Sequence, residues 1–474
     1  MVFPTTGLEP AESARTMIRG DAMRLEKGAA TGAAGLTDMK LKSVRWIVPF
    51  VMATAGWAAA SYAQGIVIPG AGPVNRSMAG AGVAAPLDAA GAIHWNPASI
   101  TALDSSEFVI GAELLYLNTH IGSSVAAGAF GPDAPPVSLS GETRSDSGVS
   151  VLPTVAVAFQ PQDSPWTFGL GLFSVGGFGM NLPASPAAPP LNPILSPSVG
   201  VGSVYSKLAV LQLVPTAALK LSDRLSIGLA PTISIADAAL DPNFLAAPDG
   251  SGYPSATHTR THWGLGFQVG IYYETENDWH FGASYKSPQW LEEFTFYSVD
   301  GAGDPRTDRL NVDYPAIVSI GAAYYGLLRT VWAIDARYVD YANTQLFGDN
   351  AGFGENLAAT GLGWQSVFSV ATGVQYQLTD ALSARVGYVF SENPIPDENT
   401  FYNVGSTAIY QHIVSVGASW RLTGNTSLVI AYLKAFENSI SGPWEAPGAG
   451  PLPGTSVTAR QTIDCLVTGL QVKF

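Results

Sequence analysis

Large apolar residues alternate with small or polar residues in many short stretches of the chain after residue 105. In residues 262–273, bulky residues such as Trp263, Leu265 and Phe267 fall on one side of an extended chain, while glycine, histidine and glutamine fall on the other. Residues 278–288 repeat this pattern. A soluble sheet would carry many Lys, Glu and Thr residues on its second face, whereas lipid outside and a filled lumen inside produce the pattern seen here. The pattern therefore predicts an all-β fold, a transmembrane antiparallel β-barrel.

The spacing of these stretches predicts about 14 strands within a barrel domain of residues 106–474. The gaps at 161–164, 222–223, 276–277 and 423–424 are tight, while the gaps between them run from about 16 to over 30 residues. Short periplasmic turns that alternate with long external loops are typical of bacterial outer-membrane barrels. The predicted strands are 107–117, 149–160, 165–176, 204–221, 224–237, 262–275, 278–288, 314–326, 329–341, 366–377, 381–391, 408–421, 425–436 and 461–474.

Composition supports a membrane barrel. Only 13% of the 474 residues are charged, whereas soluble proteins carry about a quarter. Beyond residue 65 the sequence has no run of about 20 apolar residues, which a membrane-spanning helix needs. A closed barrel is the other structure that satisfies its backbone in lipid. The formal net charge of −14 argues against nucleic acid as a partner, and the single cysteine, Cys465, excludes an internal disulfide framework.

One strongly apolar run lies near the N-terminus, at residues 46–60. Lys40, Lys42 and Arg45 precede it, and the small residues Ser61 and Ala63 occupy the two positions that a signal peptidase inspects before a cleavage after residue 63. This arrangement predicts a signal peptide over residues 39–63. Residues 1–38 are mixed polar sequence, and we interpret them as a mis-assigned upstream extension; a long natural leader is the alternative.

Residues 64–105 separate the predicted cleavage site from the first strand and contain no alternating stretch. They are rich in glycine and alanine, with Arg76, Asp88 and Asp104 as their only Lys, Arg, Asp or Glu residues. Such a segment is too apolar to favour a disordered tail in water. We expect it to fill the barrel lumen as a plug.

In this plug the sequence resembles the FadL family of outer-membrane transporters for long-chain fatty acids and hydrocarbons. The family's plug, called the hatch, carries a Gly-x-Gly stretch and then an Asn-Pro-Ala motif just before the first strand. The corresponding residues here are Gly80, Gly82, Asn96, Pro97 and Ala98. Residues 262–287 are similar to a conserved hairpin of the family, and residues 381–397 are similar to its Leu-x-x-Arg-x-Gly strand with a following Pro-x-Pro. The resemblance extends over residues 64–474.

The resemblance implies a monomer in the bacterial outer membrane without an open aqueous pore. It implies that a hydrophobic small molecule is captured at the external loops, passes the hatch and leaves sideways into outer-membrane lipid through a kinked third strand. In residues 166–180 we expect Gly176 and Gly177 to form that kink, because glycine permits bulges; packing against the lumen contents is the alternative. The family often has an acidic residue near the start of the tenth strand, where this chain has Gln365 and Ser366.

Three charged residues are predicted to face the lumen: Asp335, Arg337 and Arg385. An arginine there either binds a ligand head group or fastens the hatch, or it only balances charge. Because the acidic residue of the tenth strand is missing, we expect Arg385 to pair with Asp335 or with Asp88 of the plug.

Apolar residues in two external loops could form a capture groove for the ligand. The loop at 238–260 is short for the family, and packing within the loops is the alternative. The candidates are Phe244, Leu245, Trp290, Leu291 and Phe294.

The chain ends in a strand closed by Phe474, which resembles the C-terminal signal recognised by the barrel-assembly machinery; any β-protein can also end this way. The rival functions are a general diffusion porin and, as a different class, a barrel lipase or protease. The six histidines show no catalytic spacing, and no Cys/His cluster has the spacing of metal ligands. We therefore expect no enzyme activity, no metal and no cofactor.

Overall fold

The computed structural model describes residues 64–131, 137–250 and 252–474. The predicted signal peptide (39–63) and the upstream extension (1–38) lie outside the described residues and stay predictions. No helix in these described ranges is long and apolar enough to cross a membrane.

The described chain forms a closed barrel of fourteen antiparallel strands, which confirms the predicted fold class and strand number. Each strand pairs with the next in sequence, and β1 pairs with β14 from Glu107 opposite Lys473 to Val125 opposite Thr455, which closes the wall. The strands are β1 Glu107–Val125, β2 Val149–Phe159, β3 Trp166–Leu182, β4 Val204–Lys220, β5 Leu225–Asp241, β6 His262–Glu274, β7 Trp279–Lys286, β8 Ala316–Leu327, β9 Thr330–Asp340, β10 Val367–Gln377, β11 Leu382–Ser391, β12 His412–Arg421, β13 Thr426–Ala446 and β14 Gly450–Lys473.

Side chains alternate between the two faces of the wall as the sequence predicts, because successive residues of a strand point to opposite sides. In β6, the outward Trp263 and Leu265 are 50% and 62% exposed, whereas Gln268 and Tyr272 are buried. Bulky apolar residues thus face lipid, and small or polar residues face the lumen.

The long connections lie on the external side and carry several short strands. Three of these strands form a small separate sheet. The short strands are Leu139–Arg144, His258–Thr259, Gln289–Leu291, Phe294–Val299, Pro305–Leu310 and Asp313–Tyr314.

The long loop predicted for residues 437–460 is wrong. β13 continues to Ala446 and β14 begins at Gly450, so a hairpin with a tight turn occupies this region. Its ladder shifts register between Ala435 and Asn438 and again farther up the hairpin. Each bulge interrupts the two-residue alternation, so the periodicity that marks the other strands is lost here.

Residues 64–105 form short helices connected by irregular chain. They are α1 Pro73–Ser77, α2 Ala89–Trp95 and a 3-10 helix Pro97–Ala102. Asp88 caps α2, since its Oδ1 accepts a hydrogen bond of 2.9 Å from the N–H of Gly91. Pro73 and Pro97 stand at helix starts, where the missing N–H costs nothing.

Candidate functional site

Residues 64–105, which we call the hatch segment, lie inside the barrel. Most of them are buried. Helix α1 contacts β12 and β13, α2 contacts β2 and β3, and the 3-10 helix contacts β4, β5 and β6. The segment therefore touches strands around most of the circumference and occupies the lumen at this level.

Glycines on the inner face of the wall allow the hatch segment to approach the strands closely. A Cβ atom on Gly270 would lie 2.0 Å from Asn96 Oδ1, and one on Gly387 would lie 2.3 Å from the carbonyl carbon of Met78. Any larger residue would push the hatch segment away. We call the directly paired glycines on neighbouring strands the glycine belt: Gly111 with Gly469, Gly228 with Gly270, Gly282 with Gly321, and Gly373 with Gly387.

The Asn96-Pro97-Ala98 motif joins the hatch segment to β6. The Asn96 amide donates to the carbonyl of Val83 at 2.9 Å and to that of Ile271 at 3.0 Å. Its Oδ1 accepts from the N–H of Ala98 at 3.1 Å, which caps the 3-10 helix. One buried amide thus satisfies two backbone oxygens and one backbone N–H, a task that an apolar side chain cannot perform.

Asp335 and Arg337 of β9 fasten the Gly80–Gly82 stretch of the hatch segment. Asp335 Oδ2 accepts hydrogen bonds from Gly82 N at 2.7 Å, from Val83 N at 3.1 Å and from Arg337 Nη2 at 2.7 Å. Arg337 Nη2 also donates to Gly80 O at 2.5 Å. Both charged side chains are fully buried. We call this arrangement the hatch clasp; it brings together four of the residues predicted from the sequence.

The hatch clasp also includes an aromatic residue that the sequence did not indicate. The guanidinium carbon of Arg337 lies 3.7 Å from the centre of a Trp95 ring at the end of α2. A cation over the face of an indole is stabilised by the ring quadrupole, and more so when both groups are desolvated.

Arg385 faces the lumen as predicted, but it contacts neither of its expected partners directly. Its Nε donates to Gln375 Oε1 at 2.7 Å, and its Nη1 donates to Ser419 Oγ at 2.6 Å. Asp335 is already occupied in the hatch clasp, and Asp88 caps α2. The Arg385 side chain also lines a polar cavity on the periplasmic side of the hatch segment.

Strand β3 is irregular where the sequence predicts a kink. Its pairing with β4 shifts register between Ser174 and Gly176. There, the backbone of β3 hydrogen-bonds to the hatch segment, since Ile68 N donates to Val175 O at 3.1 Å. Gly177 has a φ of 151°, and a Cβ atom there would come within 2.2 Å of a backbone oxygen of β4. Both glycines therefore stand at the irregularity.

Strands β2 and β3 are paired over only part of their length. Their ladder stops at Thr154 opposite Phe173, and the chains meet again where Asp146 N donates to Asn181 O at 2.8 Å. Between these points, in this fully described part of the wall, residues 149–153 and 174–180 share no ladder. Pro153 contributes to the break, since proline has no N–H to donate. We call this interruption the wall window.

A cavity of about 540 Å³ lies between the wall window and the hatch segment. Its size is in the usual range for a small-molecule site. Apolar side chains form the larger part of its lining: Ile66, Ile68, Leu115, Leu117, Leu152, Phe178, Met180, Leu208, Ile413, Leu433 and Ile463. Its polar lining includes Asp146, Ser147, Ser150, Asn181, Ser206 and Lys207, together with Arg76, Glu113, Tyr410 and Cys465, which we call the polar group. We call this cavity the window cavity.

The sequence alone did not indicate the polar group of the window cavity as a site. Arg76 stood out only as one of few charges in the hatch segment, and Cys465 only as the single cysteine of the chain. Glu113 is an isolated charge on the lumen face of a strand that is otherwise apolar or small nearby. The available signal was an isolated positive charge in the predicted plug and an isolated negative charge on the lumen face of β1.

Comparison with known proteins identifies the family. The model of the family described as outer membrane protein transport protein (OMPP1/FadL/TodX) matches residues 50–474. The chain belongs to this family. It is a transport protein of the bacterial outer membrane, and the family is one of transporters, not of enzymes.

Relatives with assigned names are distant but cover nearly the whole length. The long-chain fatty acid transport protein of Salmonella typhi is 22% identical over 450 residues, which is 88% of this chain and 97% of the relative. Its counterpart from Escherichia coli O157:H7 is 23% identical over 454 residues, with the same coverage.

Solved structures of the FadL family share the fold. The P. putida toluene transporter TodX has a TM-score of 0.62 at 16% identity and covers 86% of this chain and 99% of its own. A Pseudomonas aeruginosa FadL homologue has a TM-score of 0.64 at 16% identity, covering 87% and 99%. At this identity the similarity shows the fold alone.

The external loops of this FadL-family barrel enclose a second cavity of about 330 Å³. Phe244 and Leu245 line it, as do aromatic residues of the same loop, of other loops and of β13: Tyr253, Phe130, Phe353, Phe401, Tyr402 and Trp444. We call it the mouth cavity.

The other three predicted groove residues do not line the mouth cavity. Trp290 is 55% exposed, whereas Phe294 is fully buried with its ring centre 4.4 Å from that of His262. Leu291 lies against Gly264 of β6. The expected single groove is therefore divided, because Gln289–Leu291 continues the wall beside β6 and does not join the loops above it.

Among the described residues, no group of three or more His, Cys, Asp or Glu side chains is placed to hold a metal ion.

Proposed function

We propose that this protein moves hydrophobic small molecules from the cell exterior into the lipid of the outer membrane. The ligand enters the mouth cavity, passes to the window cavity beside the hatch segment, and leaves sideways through the wall window. The names of the relatives and of the structural neighbours include both fatty acid and toluene transporters, and both cargo classes are hydrophobic.

The observation that carries this proposal is the position of the wall window. A gap in the β2–β3 ladder lies at the level of an apolar cavity. A hydrophobic solute gains nothing by entering water, so an exit into lipid matches the hydrophobic effect. An exit toward the periplasm would require the solute to pass the buried hatch segment and the polar cavity beneath it.

The two cavities adjoin, which supports a continuous path. Phe178 of β3 and Leu208 of β4 line both of them, and these residues stand directly opposite each other across the β3–β4 ladder. Movement of the Phe178 side chain would join the mouth cavity to the window cavity.

The C-terminal residue of the chain is accessible to a partner protein. Phe474 is 63% exposed at the end of the closing strand, and its N–H donates to Ser106 O at 2.9 Å. An accessible terminal aromatic residue suits recognition by the barrel-assembly machinery. We propose in addition that the protein works as a monomer.

The wall window is tested with Gly179→Trp. Gly179 lies in the wall window and lines the window cavity, and a Cβ atom there meets no atom within 4 Å, so an indole can be placed at the opening without moving the backbone. We expect uptake of radiolabelled toluene to fall at least about tenfold in a strain that lacks its own FadL-family transporter. Gly179→Ala is the matched control and should transport as the wild type does. A folded, heat-modifiable Trp variant with full uptake would refute lateral exit.

A further inference from the structure

The window cavity contains a buried ion pair. Arg76 of α1 donates from Nε to Glu113 Oε2 at 2.9 Å and from Nη2 to Glu113 Oε1 at 2.5 Å. The two side chains are only 4% and 8% exposed. Cys465 Sγ lies 2.8 Å from the same Oε1. The carboxylate therefore engages the guanidinium through both oxygens, the strongest geometry for such a pair.

The second cation that lines the window cavity also has a carboxylate partner. Lys207 Nζ is 2.7 Å from Asp237 Oδ2, and both of these side chains are nearly half exposed. Asp146 adds a negative charge to the lining. Among the described lining residues, each cation is therefore matched, and the cavity offers an entering anion no unpaired positive charge.

This arrangement of charges gives charged and uncharged ligands different free energies of transfer into the cavity. A carboxylate must lose its hydration to enter and would meet a guanidinium that Glu113 already neutralises. Burying an ion without a partner is expensive, whereas burying an uncharged apolar molecule is favourable. The apolar residues that make up most of the lining favour the second kind of ligand.

One donor of the ion pair is still available. Arg76 Nη1 is buried and has no hydrogen-bond acceptor in the structure. Unsatisfied buried donors are rare and costly. Once the guanidinium turns this buried atom toward the cavity, a neutral ligand with one acceptor oxygen, such as an ester, a ketone or an alcohol, would satisfy it without bringing a charge.

We propose that the window cavity selects uncharged apolar molecules, including those with a single acceptor oxygen, over carboxylates, and that Glu113 is the residue that sets this selectivity. The proposal rests on the proposed function, because it assigns the cargo class of the same cavity.

The test compares two probes that share one acyl chain, the anion dodecanoate and its uncharged ester methyl dodecanoate. Binding to the purified, full-length mature protein is measured in nonionic detergent at pH 8, where dodecanoate is ionised. We expect the wild type to bind the ester at least about tenfold more tightly. Because partition into micelles is the same for every variant, the change in the affinity ratio between variants is independent of it.

Glu113→Gln removes the neutralising charge and retains an amide that can hydrogen-bond to Arg76. We expect the ratio of dodecanoate to ester affinity to rise at least about tenfold, because Arg76 then lacks an anionic partner. Arg76→Met/Glu113→Gln, which also removes the cation, should show no such gain. The control Glu276→Gln removes a carboxylate from an exposed ion pair with Arg224 on a periplasmic turn and should leave the ratio unchanged.

The outcomes separate the two proposals. Tighter binding of dodecanoate than of the ester by the wild type would overturn the selectivity proposal, even if Glu113→Gln fails to assemble and no variant can be measured. An unchanged ratio in a folded Glu113→Gln variant would overturn the role of Glu113. If neither probe binds and no hydrophobic probe is taken up by cells, the proposed function itself fails.

Discussion

At the scale of single residues, the hatch clasp contains an ion pair whose two side chains are fully buried. Asp335 serves three donors at once, two of them backbone amides of the hatch segment. A buried pair is costly to break, because the charge left behind has no partner. The clasp therefore holds the hatch segment only as long as both charges remain.

Asp335→Asn should loosen the hatch segment without preventing barrel assembly. Loss of one partner of a buried pair typically costs about 3 to 5 kcal/mol, and here the cost falls on local docking. We expect the amides of Gly82 and Val83 to exchange hydrogen at least about tenfold faster, as measured by mass spectrometry in detergent.

The matched control for this prediction is Asp380→Asn. Asp380 pairs with Arg329 at 3.2 Å, but its side chain is 88% exposed, and such pairs contribute about 0 to 1 kcal/mol. Unchanged exchange is expected there. Equal protection of Gly82 in the Asp335→Asn variant and in the wild type would show that the clasp is not what holds this stretch.

Asp88 makes docking of α2 dependent on pH. Burial, and then repulsion from Glu107, raise the pKa of Asp88 to about 7, against the opposing effects of the Gly91 N–H and of Arg385. A carboxyl with a raised pKa favours the folded state when protonated. Its contribution is therefore complete below the ordinary value near 4 and is lost as pH rises through about 7.

We expect the amide protection factors of α2, corrected for intrinsic exchange, to fall between pH 5 and pH 8. Asp88→Asn should remove this dependence, because asparagine still caps the helix but does not titrate in this range. A pH dependence that persists in the Asn variant would assign the effect to another group.

At this scale the sequence predicted orientations better than partners. Asp335, Arg337 and Arg385 face the lumen because strand periodicity fixes the side of each residue. Arg385 hydrogen-bonds to Gln375 and Ser419, and it interacts with Asp88, one of its two predicted partners, only electrostatically. The choice among these groups depends on register and on where the hatch segment lies.

At the scale of elements, the glycine belt couples the hatch segment to the wall. Because glycine has no side chain, the paired glycines on neighbouring strands leave room for the backbone of the hatch segment and for Asn96. Any larger residue would fill that space. The sequence showed glycine on the lumen face of several strands, but it did not show which glycines would pair.

Gly270→Ala should displace the hatch segment, because the new methyl group would stand 2.0 Å from Asn96 Oδ1. Overpacking of this kind typically costs about 1 to 3 kcal/mol. We expect faster cleavage within the hatch segment by proteinase K. Gly424→Ala is the control, since a Cβ atom there meets nothing within 4 Å; similar cleavage of both variants would contradict the role of the belt.

The irregularity of strand β3 was predictable from the sequence only in part. Its glycines indicated an irregularity, and the register shift lies between Ser174 and Gly176. The break in the β2–β3 ladder was not predictable, because it also depends on Pro153 of the neighbouring strand and on residues 66–68, which pair with β3 from inside the barrel.

At the scale of the whole molecule, a closed barrel with a filled lumen should not conduct ions freely. In planar bilayers we expect the wild type to show no large stable openings, whereas a variant without residues 66–100 should open as a channel. A diffusion porin would conduct in both forms, so stable openings of the wild type would favour that rival function.

The sequence by itself determined the class of the fold. Strand number, the lipid-facing side of each strand and the contrast between short turns and long loops follow from local periodicity, and local periodicity needs no knowledge of which strands meet. It also indicated that residues 64–105 lie in the lumen, because they are too apolar for water and do not alternate as a wall strand does.

Only the tertiary structure decided how the lumen is organised. The hatch clasp joins positions more than 250 residues apart, and the ion pair of Arg76 and Glu113 depends on where a helix of five residues lies against β1. The wall window is a relation between two strands and the hatch segment. Such features arise from register and packing between distant segments, and periodicity within a single segment does not determine them.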